Sequence, residues 1–240
     1  MGGGRLAWAY RLFERLAAGL ADVIIAVSLR EASDGKAVLG KRGAAKIRVI
    51  SNGVNSEEYR PDGVVAERDA DPLVVVVGRF HVAKGQDLAA RALSHVRDSR
   101  TRLRFVGDGS TRQAVEHLVS SLGLTARVEM IGTADPRPHL RAADVVLVPS
   151  RWEALSLLVL EAMSCGCAIV ATEIAGEELL SGAGVVVRGA DPVLSMAKAL
   201  DDLLPDDRRR RALGEAARVR AITEYSLERM NERYLGAWLP

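Results

Sequence analysis

Short runs of aliphatic and β-branched residues alternate along the chain with longer stretches whose apolar positions recur every three or four residues, the rhythm of parallel βαβ units. Leu73–Val77 is the clearest strand. After it the spacing predicts a helix over Gln86–Val96, a strand at Leu103–Val106, a helix over Thr111–Leu122 and a strand at Val128–Ile131. The series continues with a short helix around His139, a strand Val145–Val148, a helix Leu157–Ser164 and strands Ala168–Ala171 and Val185–Val187. Three helices follow, at Pro192–Leu204, Asp207–Arg220 and Ser226–Ala237, with Asp191-Pro192 and Pro205-Asp206 as start and stop signals. The expected fold class is α/β, a Rossmann-like parallel sheet with helices on both faces, over residues 61–225.

Before Pro61 the rhythm yields only helix, strand Val23–Val27, helix and strand Ile47–Ile50, too little for a domain. A strand as continuously apolar as Val23–Val27 normally has both faces covered and both edges paired, so residues 1–60 read as the remnant of another domain plus a connection. Pro61-Asp62-Gly63 and the charged stretch to Asp71-Pro72 look like a linker.

Composition narrows the class. With 33 basic and 31 acidic residues the formal charge is +2, which gives little reason to expect nucleic-acid binding. The only cysteines, Cys165 and Cys167, have no matching Cys or His pair for zinc and fit a reducing cytoplasm. No apolar run reaches the roughly 18 residues of a membrane span. Met1-Gly2-Gly3-Gly4 lacks a signal peptide's apolar core. Arg5, Arg11 and Arg15 beside Trp8, Leu12 and Phe13 would allow peripheral contact with an anionic inner membrane face, against the commoner reading of a basic outer helix face. Arg208–Arg211 read as a helix face rather than a site.

In an open parallel sheet ligands bind beyond the carboxyl ends of the strands, and three segments there carry candidate chemistry. Gly78-Arg79-Phe80-His81-Val82-Ala83-Lys84-Gly85 brings two cations and turn-forming glycines to a helix start, which suits a diphosphate; the plain alternative is a pair of exposed loop cations. Gly107-Asp108-Gly109 is a weak dinucleotide signal, since Arg112 stands where the third glycine belongs. The most specific segment runs from Pro149 to Met163, with seven residues between Glu153 and Glu161. Glu161 falls inside an apolar helix, so its carboxylate needs a hydrogen-bonding partner, and two adjacent ribose hydroxyls would serve. Alternatively Glu153 is a loop or capping carboxylate and Glu161 a half-exposed helix residue. A glycosidase acid and base pair fits poorly, because both carboxylates lie on one loop-to-helix segment.

Gly78-Arg79 with Lys84-Gly85, the Glu153 and Glu161 pair, and Cys165-Gly166-Cys167-Ala168-Ile169-Val170-Ala171-Thr172 together resemble glycosyltransferase family 4, the retaining group with the GT-B fold. Ala21-Asp22-Val23, Ser51-Asn52-Gly53-Val54-Asn55 and Tyr225-Ser226-Leu227-Glu228-Arg229 extend the resemblance to nearly the whole chain. It implies a nucleotide-diphosphate sugar donor, UDP- or GDP-linked, with no cofactor and no metal. Arg79 and Lys84 would meet the diphosphate, Glu161 the ribose and Glu153 the sugar hydroxyls. The amides of Ala154, Leu155, Ser156 and Leu157 would face the diphosphate or sugar, with Gly78, Gly107 and Gly132 also at the donor and the base near Ile131-Gly132-Thr133. Arg79, Lys84 and Glu153 are the catalytic candidates, since positive charge at a departing diphosphate lowers the barrier.

Two departures stand out: Ala154 occupies a position where many relatives have glycine, and Ala175-Gly176-Glu177-Glu178-Leu179 is one residue short, with Glu178 preferred over Glu177 as the family glutamate. The resemblance further implies that residues 226–240 cross back toward an N-terminal acceptor domain most of which lies outside these 240 residues. The expectation is either a truncated chain or one half of a split enzyme whose partner chain supplies that domain, for an acceptor of unknown kind. The alternative is a non-catalytic sugar-nucleotide-binding or regulatory subunit.

Overall fold

The computed structural model describes residues 5–239, with side chains from residue 12 onward. Met1–Gly4 and the side chains of Arg5, Trp8 and Arg11, on which the membrane reading draws, lie outside the described residues. The chain divides into two compact units, one from Val54 to Ser226, the other combining residues up to Gly53 with those from Leu227 onward.

In the unit that holds the N-terminal segment, α1 (Arg5–Leu20) leads to β1 (Ile24–Ala26), α2 (Leu29–Ala44) and β2 (Ile47–Val49). Ser28 and Glu31 start α2 as a reciprocal capping box: the serine hydroxyl accepts from Glu31 N at 3.1 Å and the glutamate carboxylate accepts from Val27 N at 2.7 Å. Lys46 donates to the carbonyls of Ala18, Gly19 and Ala21, closing the end of α1 where helical carbonyls lack partners. β1 pairs in parallel with β2 alone among the described strands, and Ile24 and Ile25 stay half-buried. The coverage expected for so apolar a strand is incomplete.

In the larger unit β3 (Leu73–Val77), α3 (Gln86–His95), β4 (Arg102–Val106), α4 (Arg112–Ser121), β5 (Val128–Met130), α5 (Pro136–Ala142), β6 (Val145–Val148), α6 (Leu157–Ser164), β7 (Ile169–Thr172), α7 (Glu173–Gly176), β8 (Val185–Val187), α8 (Pro192–Leu203) and α9 (Asp207–Glu224) follow one another. The six strands are all parallel in the order β5-β4-β3-β6-β7-β8. Alternation along each strand divides the core. Val145 and Leu147 of β6 face the layer of α3, α4 and α8, while Val146 and Val148 face the layer of α6 and α9. The last helix, α10 (Leu227–Trp238), belongs to the first unit, where the Gly53 N–H meets the Met230 sulfur at 3.2 Å.

Most expected elements hold within a residue or two. The strand expected at Ala168–Ala171 lies one residue later, α9 runs four residues past Arg220, and α7 is new. The stretch to Pro72 is no free linker. Arg104, 4% exposed in mid-strand, donates to the Glu67 carbonyl at 2.8 Å; Arg68 reaches the Ala142 carbonyl at 2.6 Å and Asp144 at 2.7 Å; Arg141 reaches the Arg60 carbonyl at 2.8 Å. Ala66 packs on Leu73, Val75 and Val106, so the segment forms a strap across one sheet face. Within Arg208–Arg211, Arg210 turns inward toward Asp144 and Asp207 and Arg211 pairs with Asp207.

Candidate functional site

Strand order reverses between β3 and β6, and the crevice of a doubly wound sheet opens beyond the carboxyl ends of those two strands. The loops that leave them are Gly78–Gly85 and Pro149–Ser156, the two segments richest in candidate chemistry. They touch at Gly85. Its backbone is left-handed at φ 69°, and a Cβ built there would lie 2.1 Å from the Pro149 carbonyl oxygen, so glycine alone lets the loops close. Gly107 plays the same part on the other side: a Cβ would stand 2.2 Å from the Gly78 carbonyl, and its N–H donates to the Gly132 carbonyl at 2.6 Å. The loops after β3, β4 and β5 thereby share one rim.

Two of the three catalytic candidates come together. Lys84, in a turn of 3-10 helix over Val82–Lys84, donates from Nζ to Glu153 Oε1 at 2.6 Å. The same oxygen accepts from the Ser150 hydroxyl at 2.8 Å, and the Thr172 hydroxyl holds the Ser150 carbonyl at 2.7 Å. The Glu153 side chain is only 10% exposed, against 36% for Lys84, so the carboxylate is embedded and the cation faces outward. Arg79 is exposed and has no ion pair among the described residues. Its backbone carbonyl is held by the buried Gln86 amide at 2.9 Å.

Ala154, Leu155 and Ser156 precede the helix, which begins at Leu157. The four amides at the helix start that have no intrahelical acceptor are those of Ser156, Leu157, Leu158 and Val159, so the expected stretch from Ala154 to Leu157 overlaps them at Ser156 and Leu157. Ser156 caps α6 with no side-chain bond to it, and its hydroxyl oxygen is buried without a partner.

Glu161 is not joined to the Lys84–Glu153 pair. Its carboxylate accepts a hydrogen bond from the Tyr59 hydroxyl, so a protein group supplies a partner of the kind the sequence called for. Burial pushes the Glu161 carboxyl above its usual range and the tyrosine bond opposes this; Tyr59 is pushed up by burial and by the glutamate's charge. A carboxylate has about four acceptor positions, so hydroxyls of a ligand remain compatible with this contact. Glu177 pairs with Arg188 at 3.2 Å, while Glu178 lies half-buried beyond the end of α7. Burial pushes the Cys165 thiol up to about 11 and Cys167 further in the same direction. Among the described residues no three His, Cys, Asp or Glu side chains form a metal site, and no helix is long and apolar enough to cross a membrane.

Sequence reading missed Tyr59, Gln86, Asp87, Ser150, Arg151 and Thr172 around this site. Ser150 and Arg151 stand inside the Pro149–Met163 segment, but Thr172 lies 22 residues from Ser150 and Asp87 lies 64 residues from Arg151, and nothing in local spacing announces these pairings.

A parallel sheet with this switch point and helices on both faces is the fold of GT-B glycosyltransferases. Sucrose-phosphate synthase from Thermosynechococcus elongatus superposes with a TM-score of 0.84 at 24% identity, over 98% of this chain and 63% of that one. Anabaena HepE in complex with UDP and glucose gives 0.82 at 21% identity, over 95% and 67%.

The chain belongs to the group 1 glycosyl transferases, whose family model matches residues 71–206, more than half of its length. A GDP-mannose-dependent α-(1-6)-phosphatidylinositol monomannoside mannosyltransferase of Mycolicibacterium smegmatis is 32% identical over 85% of this chain and 59% of its own length. A D-inositol 3-phosphate glycosyltransferase of Xylanimonas cellulosilytica is 32% identical over 82% and 52%. The chain thus spans about half the length of the curated relatives it matches.

Proposed function

We propose that this chain is the donor-binding half of a retaining glycosyltransferase of family 4 that moves a sugar from a UDP- or GDP-linked donor to an acceptor. The observation that carries the reading is the ion-paired Lys84 and Glu153 with the unpaired Arg79 at the carboxyl ends of β3 and β6. Arg79 and Lys84 neutralise the diphosphate as it departs, Glu153 meets hydroxyls of the sugar, and Glu161, steadied by Tyr59, takes the ribose. The α6 amides and the unpartnered Ser156 hydroxyl add donors for anionic oxygen. Relatives named for GDP-mannose and a fold relative holding UDP and glucose support the donor class.

The acceptor and the groups that hold it come from a partner domain or chain. The half-covered β1 supports this part. Transfer to an acceptor by this chain alone would overturn it. For the donor half, the purified chain is titrated with UDP, GDP, ADP and their sugars while thermal unfolding is followed, beside Lys84→Ala and Glu161→Ala. One nucleoside diphosphate raises Tm, and both substitutions weaken it by about tenfold or more, the scale of a lost charged hydrogen bond. Well-folded chain that responds to no nucleotide would refute the donor reading.

A further inference from the structure

Arg151 and Asp87 have no part in the reading above, yet they fasten together the two loops that carry Lys84 and Glu153. The Arg151 backbone N–H donates to the Ala83 carbonyl at 2.7 Å. Its guanidinium donates from Nη1 to the Val82 carbonyl at 3.1 Å and to Asp87 Oδ1 at 2.7 Å, and from Nη2 to Asp87 Oδ2 at 2.7 Å. Arg151 therefore grips the chain on both sides of Lys84, at residues 82 and 83 before it and at residue 87 after it.

Glu153, two residues beyond Arg151, then closes on Lys84. Burial works against the Asp87 charge, but the two bonds from Arg151, with backbone N–H groups of the first turn of α3, hold its carboxyl below the usual range.

Side-chain exposures of 28% and 38% make this a weak source of global stability. Its planar fork, by contrast, fixes orientation in a way a lysine cannot. All its acceptors are protein groups.

We propose that Arg151 and Asp87 are positioning residues, a clamp that sets Lys84 against Glu153 at the spacing a nucleoside diphosphate requires; this rests on the donor reading above. The test uses the 240-residue chain with Arg151→Lys, Asp87→Asn and the reversed pair Asp87→Arg/Arg151→Asp. Three quantities are read: hydrogen exchange at the Ala83 and Lys84 amides, Tm without ligand, and affinity for UDP and GDP by calorimetry.

Each single substitution is expected to speed exchange at Lys84 and to weaken the preferred diphosphate about tenfold, while Tm falls by no more than about 3 °C. The reversed pair recovers part of the affinity. Unchanged exchange overturns the clamp, and so does unchanged affinity in single variants of a chain that binds. A large fall in Tm with no recovery in the reversed pair means a merely structural contact and also overturns it. Faster exchange in the variants of a chain that binds neither nucleotide overturns the donor reading instead.

Discussion

Gly85→Ala tests whether the two crevice loops are as tightly apposed as the geometry requires, and Gly123→Ala is its internal control. Both glycines have φ of 69°, so both substitutions carry the left-handed penalty of about 1–2 kcal/mol. Around Gly123 no atom lies within 4 Å of the new Cβ, whereas at Gly85 the Pro149 carbonyl oxygen lies at 2.1 Å. Real Cβ contacts of this kind stay beyond about 3.0 Å, so the loops must part by roughly 0.9 Å. That displacement stretches the Arg151 N–H bond to the Ala83 carbonyl, now 2.7 Å, beyond hydrogen-bonding range. Losing it adds about 1 kcal/mol, and the Lys84–Glu153 contact is disturbed as well.

Gly85→Ala is therefore expected to cost about 1–2 kcal/mol more than Gly123→Ala, or roughly 2–8 °C of Tm at this size. Calorimetric unfolding of both variants measures the difference. Only Gly85→Ala should also abolish the shift produced by a nucleoside diphosphate. If the two variants unfold at the same temperature, the loops yield without strain and the apposition argument fails.

Other expectations follow from buried ionisable groups. The Glu161 carboxyl is raised by burial, so its effect on stability is most favourable below the ordinary value of 4.5 and is lost as pH rises through the raised one. Glu161→Gln should unfold at a higher temperature than the parent at pH 7, with the gap closing toward pH 4, while losing nucleotide affinity. Tyr59→Phe removes a bond that lowers that carboxyl, so it should lower Tm at pH 7 and shift the titration of the Glu161 carboxyl upward in NMR; an unshifted titration argues against the contact. Cys165 and Cys167 are both buried with raised thiols, so native protein at pH 8 should resist a thiol reagent that labels both once the chain is denatured. Prompt labelling of either would show that the α6–β7 corner opens.

The parallel strands and their intervening helices were legible because period-2 and period-3.6 spacing is a local property. Leu73–Val77, Val145–Val148, Leu157–Ser164 and Val185–Val187 are found at their expected bounds. Arg79, Lys84 and Glu153 stood out for a related reason, since loops after strands are where an α/β sheet presents its chemistry. The stretch from Pro61 to Pro72 misled because charge and proline describe a linker equally well when the partners of Arg68, Arg104 and Arg141 lie many residues away in sequence.

What the sequence by itself determined is which segments are strands and helices and which residue types stand at the strand ends, because both follow from neighbours a few positions apart. Only the tertiary structure decided that strand order reverses between β3 and β6, that Lys84 is bonded to Glu153, that Glu161 is bonded to Tyr59 and that Arg151 ties its loop to Asp87. Each of these joins residues far apart along the chain, and chain-distant pairing is set by the packing of the whole sheet, which no local pattern encodes.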